Sequence, residues 1–310
     1  MINLRMARVL VSGSSGLIGN ALIPALKTSG AHVVRLQRPR GANTAKPVNG
    51  DEQIEWDPEK PLSPEVVSGF DGVIHLAGES IMGRWSETKK AKIRNSRVTS
   101  TRNLAKALAQ AADKPQVFMC GSAIGYYGNR GDELLREESA PGIGFLPDVC
   151  RQWEAATKSA FDAGIRTVNL RTGIVLSAKG GALAAMLTPF KLGVGGRIGS
   201  GRQWMSWIDM QDMVGGILHI LKTDLVQGPV NLVSPRPVTN AEFTKTLAGV
   251  LSRPAIFPVP PFAVKLAFGE MGEELLLGGQ RVEPAKLITS GYPFRFRELK
   301  SALQSITGNQ

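Results

Sequence analysis

Taken as a pattern of apolar and polar positions, the first half of the chain alternates short buried-strand candidates with amphipathic helices. RVLVSG (8–13) is an apolar run closed by glycine. After it, Leu17, Ile18, Ala21, Leu22, Ala25 and Leu26 share one face of a helix expected over 17–29, with Gly30 as its stop. Pro24 lies inside that helix, where proline costs about 3 kcal/mol or kinks the axis, so a kink is expected. AHVVRL (31–36), QIEWD (53–57), GVIHLAG (72–78), QVFMCGSA (116–123) and RTVNLRTGIVL (166–176) supply five more strands, with helices near 87–112 and 146–163. Strands alternating with helices imply right-handed crossovers and a doubly wound parallel α/β sheet. From Gly180 the texture changes to glycine-rich loops, short strands such as PVNLV (229–233) and the proline-dense RPAIFPVPPF (253–262). The expected organisation is a sheet domain over 7–176, to which 205–225 returns, and a smaller α/β lobe over 177–310. That lobe, with its appended region from about 253, would cap the carboxyl edge of the sheet, where ligands bind in such folds.

Composition narrows the function classes only in part. The chain has 310 residues, 43% hydrophobic and 20% charged, which is ordinary for a globular protein that buries a substantial core. Its two cysteines, Cys120 and Cys150, suggest no disulfide framework and fit a reducing compartment. The initial apolar run is too short for a signal peptide, and no segment approaches the roughly 18 apolar residues of a membrane span, so the expected location is cytoplasmic. The net charge of +11 favours anionic partners, and it is densest in GRWSETKKAKIRNSR (83–97). Zinc-finger spacing, RNA-binding signatures and basic tails are lacking, so nucleic acid is not the expected partner.

The most informative short stretch is VSGSSGLIG. It places Gly13, Gly16 and Gly19, with Ser14, Ser15, Leu17 and Ile18 between them, where the first strand turns into the first helix. Such a turn lets backbone approach a pyrophosphate and presents a helix N-terminus to it. The next strand chooses the dinucleotide. An acid at its end would accept from the ribose 2′-hydroxyl of NAD, yet no acid occurs between 31 and 50, and the strand runs out as RLQRPR. Arg38, helped by Arg40 or Arg35, can instead pair with a 2′-phosphate, so NADP(H) is the expected cofactor.

With HLAGE (75–79), SAIGYYG (122–128), WEAA (153–156), LRTGIVL (170–176), GGRIGSGRQWMSWIDMQD (195–212) and GYPFRFREL (291–299) following in order, the chain resembles the atypical extended short-chain dehydrogenase/reductases called the epimerase family protein group. The resemblance covers nearly the whole chain. It implies a Rossmann domain that binds NADP(H), a substrate lobe, and an appended terminal domain of unknown function. It also implies that Gln37 and Arg38 meet the 2′-phosphate end, that Leu76, Ala77 and Gly78 lie along the cofactor, and that Lys92, Arg97 and Ile174 touch it. On this basis Arg97 is not a solvent-facing charge.

Catalytic relatives pair a Ser or Thr with a Tyr-x-x-x-Lys, because hydride transfer at carbon needs matched proton transfer at oxygen. Ser122 fits the first role. The pair is absent: Tyr126, Tyr127 and Tyr292 are the only tyrosines, followed four residues on by Arg130, Gly131 and Phe296. Aligning on Glu154 puts Leu146 and Cys150 at the tyrosine and lysine positions. Tyr126 or Tyr127 could bring a phenol to the nicotinamide, or pack. Glu79 could serve as a base or substrate contact, or cap a helix. Cys150 would need a depressed pKa to act as nucleophile and otherwise reads as a buried thiol. His32, His75 and His219 lack ligand spacing, so no metal is expected. In GGRIGSGRQW, Arg197, Arg202 and Gln203 could hold an anionic group, phosphorylated or nucleotide-linked, or simply lie on a crossing loop. Asp209 replaces a commoner histidine and would alter ligand choice if it faces the pocket.

Three functions compete on these residues: an NADP(H)-dependent oxidoreductase of a small anionic substrate, a non-catalytic NADP(H)-binding redox sensor, and a nucleotide-sugar epimerase. The oxidoreductase reading is preferred because the second lobe is shaped for a ligand. FAVKLAF and EELLLGG either pack internally or form a homodimer interface.

Overall fold

The computed structural model describes residues 2–39 and 52–308; Arg40, one of the expected phosphate contacts, lies outside them. The first half alternates as its pattern requires: β1 (Arg8–Ser12), α1 (Leu17–Thr28), β2 (His32–Gln37), β3 (Glu52–Glu55), β4 (Gly72–His75), α2 (Glu87–Gln110), β5 (Val117–Ala123), the short β6 (Leu134–Leu135), α3 (Phe145–Ala155), α4 (Lys158–Asp162) and β7 (Arg166–Thr172). The second half contains β8 (Ile174–Leu176), α5 (Gly181–Lys191), β9 (Trp204–Met205), β10 (Trp207–Asp209), α6 (Met210–Lys222), β11 (Gly228–Leu232), β12 (Val238–Thr239), α7 (Asn240–Leu251), α8 (Pro261–Phe268), α9 (Glu270–Gly272), β13 (Arg281–Val282), α10 (Ala285–Thr289) and α11 (Leu299–Thr307).

Seven strands form one parallel sheet in the order β11-β7-β5-β4-β1-β2-β3. The chain winds outward from β1 in both directions, so the crevice beyond the carboxyl ends of β1 and β4 is the switch point where such sheets bind ligands. Both faces are covered. Leu22, Ile23 and Leu26 of α1 and Met213, Ile217, Ile220 and Leu221 of α6 pack on one side. On the other, Val98, Leu104 and Leu108 of α2, Trp153 of α3 and Ala160 of α4 close the core. Trp207, Leu183, Phe243, Leu247, Leu299 and Leu303 build a separate core for the second lobe. Among the described residues, no helix is long and apolar enough to cross a membrane.

Three expectations change. The strand expected over 166–176 is two strands: β7 stays in the large sheet, while β8 leaves it to pair with β10. The break is at Gly173, whose N–H donates to the Leu232 carbonyl and where a Cβ would stand 2.4 Å from the Ser206 carbonyl oxygen. The PVNLV strand, assigned to the second lobe, is β11 and extends the large sheet beside β7. The helix expected over 146–163 is interrupted between α3 and α4. By contrast, α1 continues through Pro24 without a break.

Candidate functional site

The glycine turn stands at the switch point. Gly13 has φ +71°, a left-handed conformation that glycine adopts at little cost, and a Cβ there would lie 2.5 Å from the Leu76 carbonyl carbon. A Cβ on Gly19 would stand 2.4 Å from the Gly13 carbonyl oxygen, so the first turn of α1 can sit directly on the loop. The N-cap is Gly16, no side chain caps the helix, and its first turn carries no acid. The helix end therefore presents backbone N–H groups and positive dipole without an internal anion, which suits a phosphate. Ser14 is buried and Ser15 exposed; Leu17 and Ile18 are half-buried, and Leu17 reaches toward Gly180 and Gly181 at the start of α5.

The adjoining strands bring their expected residues to the same edge. Gln37 donates from Nε2 to Ser14 Oγ at 3.2 Å, fastening the end of β2 to the loop, and Arg38 follows it, exposed. After β4, Leu76 and Ala77 run beside Gly13, and the Arg97 guanidinium lies against Gly78, 3.2 Å from where a Cβ would be. Arg97 also stacks 5.2 Å from the Trp153 ring and donates to the Ile93 carbonyl at 3.1 Å. Burial draws its pKa down, and the Cys150 and Glu79 environments oppose that effect. Arg97 thus faces inward, as the resemblance implied, while Lys92 is exposed. Glu79 does not cap α2: Ser86 does, accepting from Lys89 N at 3.2 Å. Glu79 instead binds Lys89 Nζ at 2.6 Å, an interaction that holds its carboxyl below the usual range. At the end of β4, fully buried His75 joins Ser12 Oγ to Ser100 Oγ, and burial lowers its pKa to about 4.

The carboxyl end of β5 carries a different kind of arrangement. Ser122 is buried and donates to Glu154 Oε1 at 2.7 Å. Arg171 grips the same carboxylate with Nε and Nη2, both at 2.8 Å, and is itself only 3% exposed. Burial opposes the Arg171 charge, but the Glu154 hydrogen bonds and charge outweigh it and raise its pKa. Its Cζ lies 3.6 Å from the Tyr126 ring centroid, and Nη1 donates to Tyr127 Oη at 2.9 Å. Arg171 is a site residue that no sequence motif singles out. Its signal was a charged side chain in the strand RTVNLRT, with Glu154 available 17 positions earlier.

Several expected site residues have internal duties. Tyr127 is fully buried and donates to Asn231 Oδ1 at 2.7 Å, so it is a packing and hydrogen-bonding residue rather than an accessible proton donor; burial pushes its pKa up to about 12. Tyr292 donates to Asp212 at 3.0 Å. Tyr126, half-buried, is the one tyrosine whose hydroxyl makes no hydrogen bond among the described residues. Leu146 and Cys150 do face the β5 turn: their Cβ and Sγ lie 3.5 and 4.0 Å from where Gly125 would carry a Cβ. Burial raises the Cys150 thiol to about 12, which removes the nucleophile reading. Gln203 donates to the Ile198 and Leu276 carbonyls at 3.0 and 2.8 Å, tying its loop to the terminal region instead of aiming its amide at a ligand. Arg197 and Arg202 are exposed, and Arg197 donates to Ser200 O. Ile174 is half-buried in β8, paired with Trp207. Asp209 is buried as the N-cap of α6, accepting from Gln211 N at 2.7 Å, and burial lifts its pKa to about 6, so its carboxylate is engaged in the helix cap.

Comparison with known proteins agrees with this layout. The NAD dependent epimerase/dehydratase family matches residues 9–232, and a domain of unknown function matches 259–306. An epimerase family protein of Mycobacterium leprae is 40% identical over 98% of this chain and 96% of its own length. The crystal structure of human epimerase family protein SDR39U1 with NADPH is 36% identical, covers 98% of this chain and 100% of that one, and superposes with a TM-score of 0.87. A nucleoside-diphosphate sugar epimerase from Corynebacterium glutamicum is 35% identical, with a TM-score of 0.79, over 97% of this chain and 58% of its own. The glycine turn at a β1/β4 switch point, the extended short-chain dehydrogenase/reductase fold around it and the appended terminal domain together make this chain a member of the NAD dependent epimerase/dehydratase family.

Proposed function

We propose that the protein binds NADP(H) in preference to NAD(H) and is an oxidoreductase of the extended short-chain dehydrogenase/reductase type acting on a small anionic substrate. The observation that carries the cofactor reading is the uncapped glycine turn beside a second strand that ends in Gln37 and Arg38 with no acid. NADPH bound to the similar human protein supports it. In this reading Gly13 to Gly19 hold the pyrophosphate, Arg38 with Lys92 meets the 2′-phosphate, and Leu76, Ala77, Gly78 and Arg97 line the path toward β5.

Bound NADP(H) would supply or accept a hydride. The protein's part is to hold the substrate oxygen and manage its proton. Because Ser122 donates its proton to Glu154, its oxygen is left to accept from a substrate hydroxyl. Tyr126 has the uncommitted phenol, and one guanidinium links it to Ser122 through Glu154. The test is a screen of the purified protein for bound NADP(H) and for NADPH oxidation by carbonyl and quinone compounds. Turnover should fall by about a hundredfold or more in Ser122→Ala, on the scale of losing a positioned proton-transfer group. Turnover unchanged in both Ser122→Ala and Tyr126→Phe would remove this assignment.

A second reading rests on Leu146 and Cys150 at the β5 turn: neither side chain supplies the acid–base pair found in catalytic relatives. Tight NADPH binding without turnover on any substrate would favour a redox-sensing role. The same absence weighs most against epimerisation, which needs that pair in both directions.

A further inference from the structure

Glu79 lies among cations. Its Oε1 accepts from Lys89 Nζ at 2.6 Å, and its backbone N–H donates to Ser96 Oγ at 2.9 Å, which pins the residue against α2. Lys92 is three positions beyond Lys89 on that helix, and the Lys89 hydrogen bond together with the Lys89, Lys92 and Arg38 charges holds the Glu79 carboxyl below its usual range. Arg38 follows β2 and Glu79 follows β4, the two strands that flank β1, so these charges gather at one side of the switch point. A carboxylate inside a basic cluster gives the cations an internal partner, and it repels any anion that comes to the same cations.

We propose that Glu79 is an internal rival of the cofactor's 2′-phosphate, occupying Lys89 and weakening the pull of Arg38 and Lys92, so that it tempers affinity for NADP(H) selectively over NAD(H). The proposal rests on the NADP(H) reading and adds to it a residue that opposes binding. Its action is electrostatic, through charges that only the phosphorylated cofactor meets. Lys89 has the opposite effect: removing it leaves Glu79 unbalanced beside the phosphate.

Calorimetric titration of the full chain with 2′,5′-ADP, NADPH and NADH tests it. In Glu79→Gln, 2′,5′-ADP and NADPH should bind about three- to tenfold tighter while NADH moves by less than about twofold, and raising the salt should shrink the gain. Lys89→Gln should weaken 2′,5′-ADP. Glu79→Ala provides the same readout if the glutamine variant folds poorly, since the side chain is partly exposed. Unchanged or weaker 2′,5′-ADP binding in the Glu79 variants, or equal tightening for NADH, would overturn the proposal while leaving the cofactor reading intact. Wild-type protein that binds neither 2′,5′-ADP nor NADPH would overturn both.

Discussion

The ends of β1, β2 and β4 and the end of β5 lie on the same sheet edge yet are built differently. At the first, the glycine turn is left without an internal anion, since α1 begins without a capping side chain or an acid, and Arg38 and Lys92 are exposed, with Glu79 as the carboxylate that acts on them. At the second, polar groups turn inward. Ser122, Glu154, Arg171, Tyr127 and Asn231 bond to one another in sequence, and Leu146 and Cys150 pack against the Gly125 turn. The contrast separates two requirements on one sheet edge. A cofactor edge needs only open donors and charge, whereas a reacting end needs an ionisable group with a free face.

The largest effect is expected at the inward-facing end. Arg171→Met leaves the partly buried Glu154 carboxylate without its cation and the Tyr127 and Glu137 acceptors without their donor, which should cost about 3 kcal/mol in urea unfolding. NADPH binding by the folded fraction should hardly change, and a loss of both together would erase the division between the two regions. At the cofactor edge the expected pH response comes from His75. Its folded pKa, about 4, lies below the ordinary 6.5, so the folded state keeps it neutral where an unfolded chain takes up a proton. Its contribution is present above pH 6.5 and is lost as pH falls toward 4, at most about 3 kcal/mol. The stability of wild type relative to His75→Asn should decline over that window; a flat difference would contradict a buried neutral imidazole. Smaller still is the comparison of neighbouring tyrosines. Tyr127→Phe should destabilise by about 1–2 kcal/mol, because it strands Asn231 and one Arg171 donor, and Tyr126→Phe should stay within about 0.5 kcal/mol. Equal effects would mean that Tyr126 is also a structural residue.

Local patterns made the cofactor edge legible in the sequence. The strand–glycine–helix order of RVLVSGSSGLIG and the missing acid after β2 are short-range properties, and the structure packs Gly13 and Gly19 into that turn; the nearness of Gln37, Leu76 and Arg97 is implied only by the family resemblance. The absence of Tyr-x-x-x-Lys could also be read from three tyrosines alone. What failed depended on distant contacts. Nothing near Tyr127 announces Asn231, 104 residues away, and nothing near Gln203 announces Leu276. Whether Asp209 faces the pocket is open in the sequence, because its place as the cap of α6 depends on where β10 ends. The split at Gly173 follows from crowding by Ser206, a residue brought there by the second lobe.

The most direct measurement is the affinity of the full chain for NADPH and NADH, with Arg38→Ala alongside. A phosphate held by a charge-assisted contact should make NADPH bind at least about tenfold tighter than NADH, and Arg38→Ala should remove most of that advantage. NADH binding as tightly as NADPH to the wild-type chain would contradict the account.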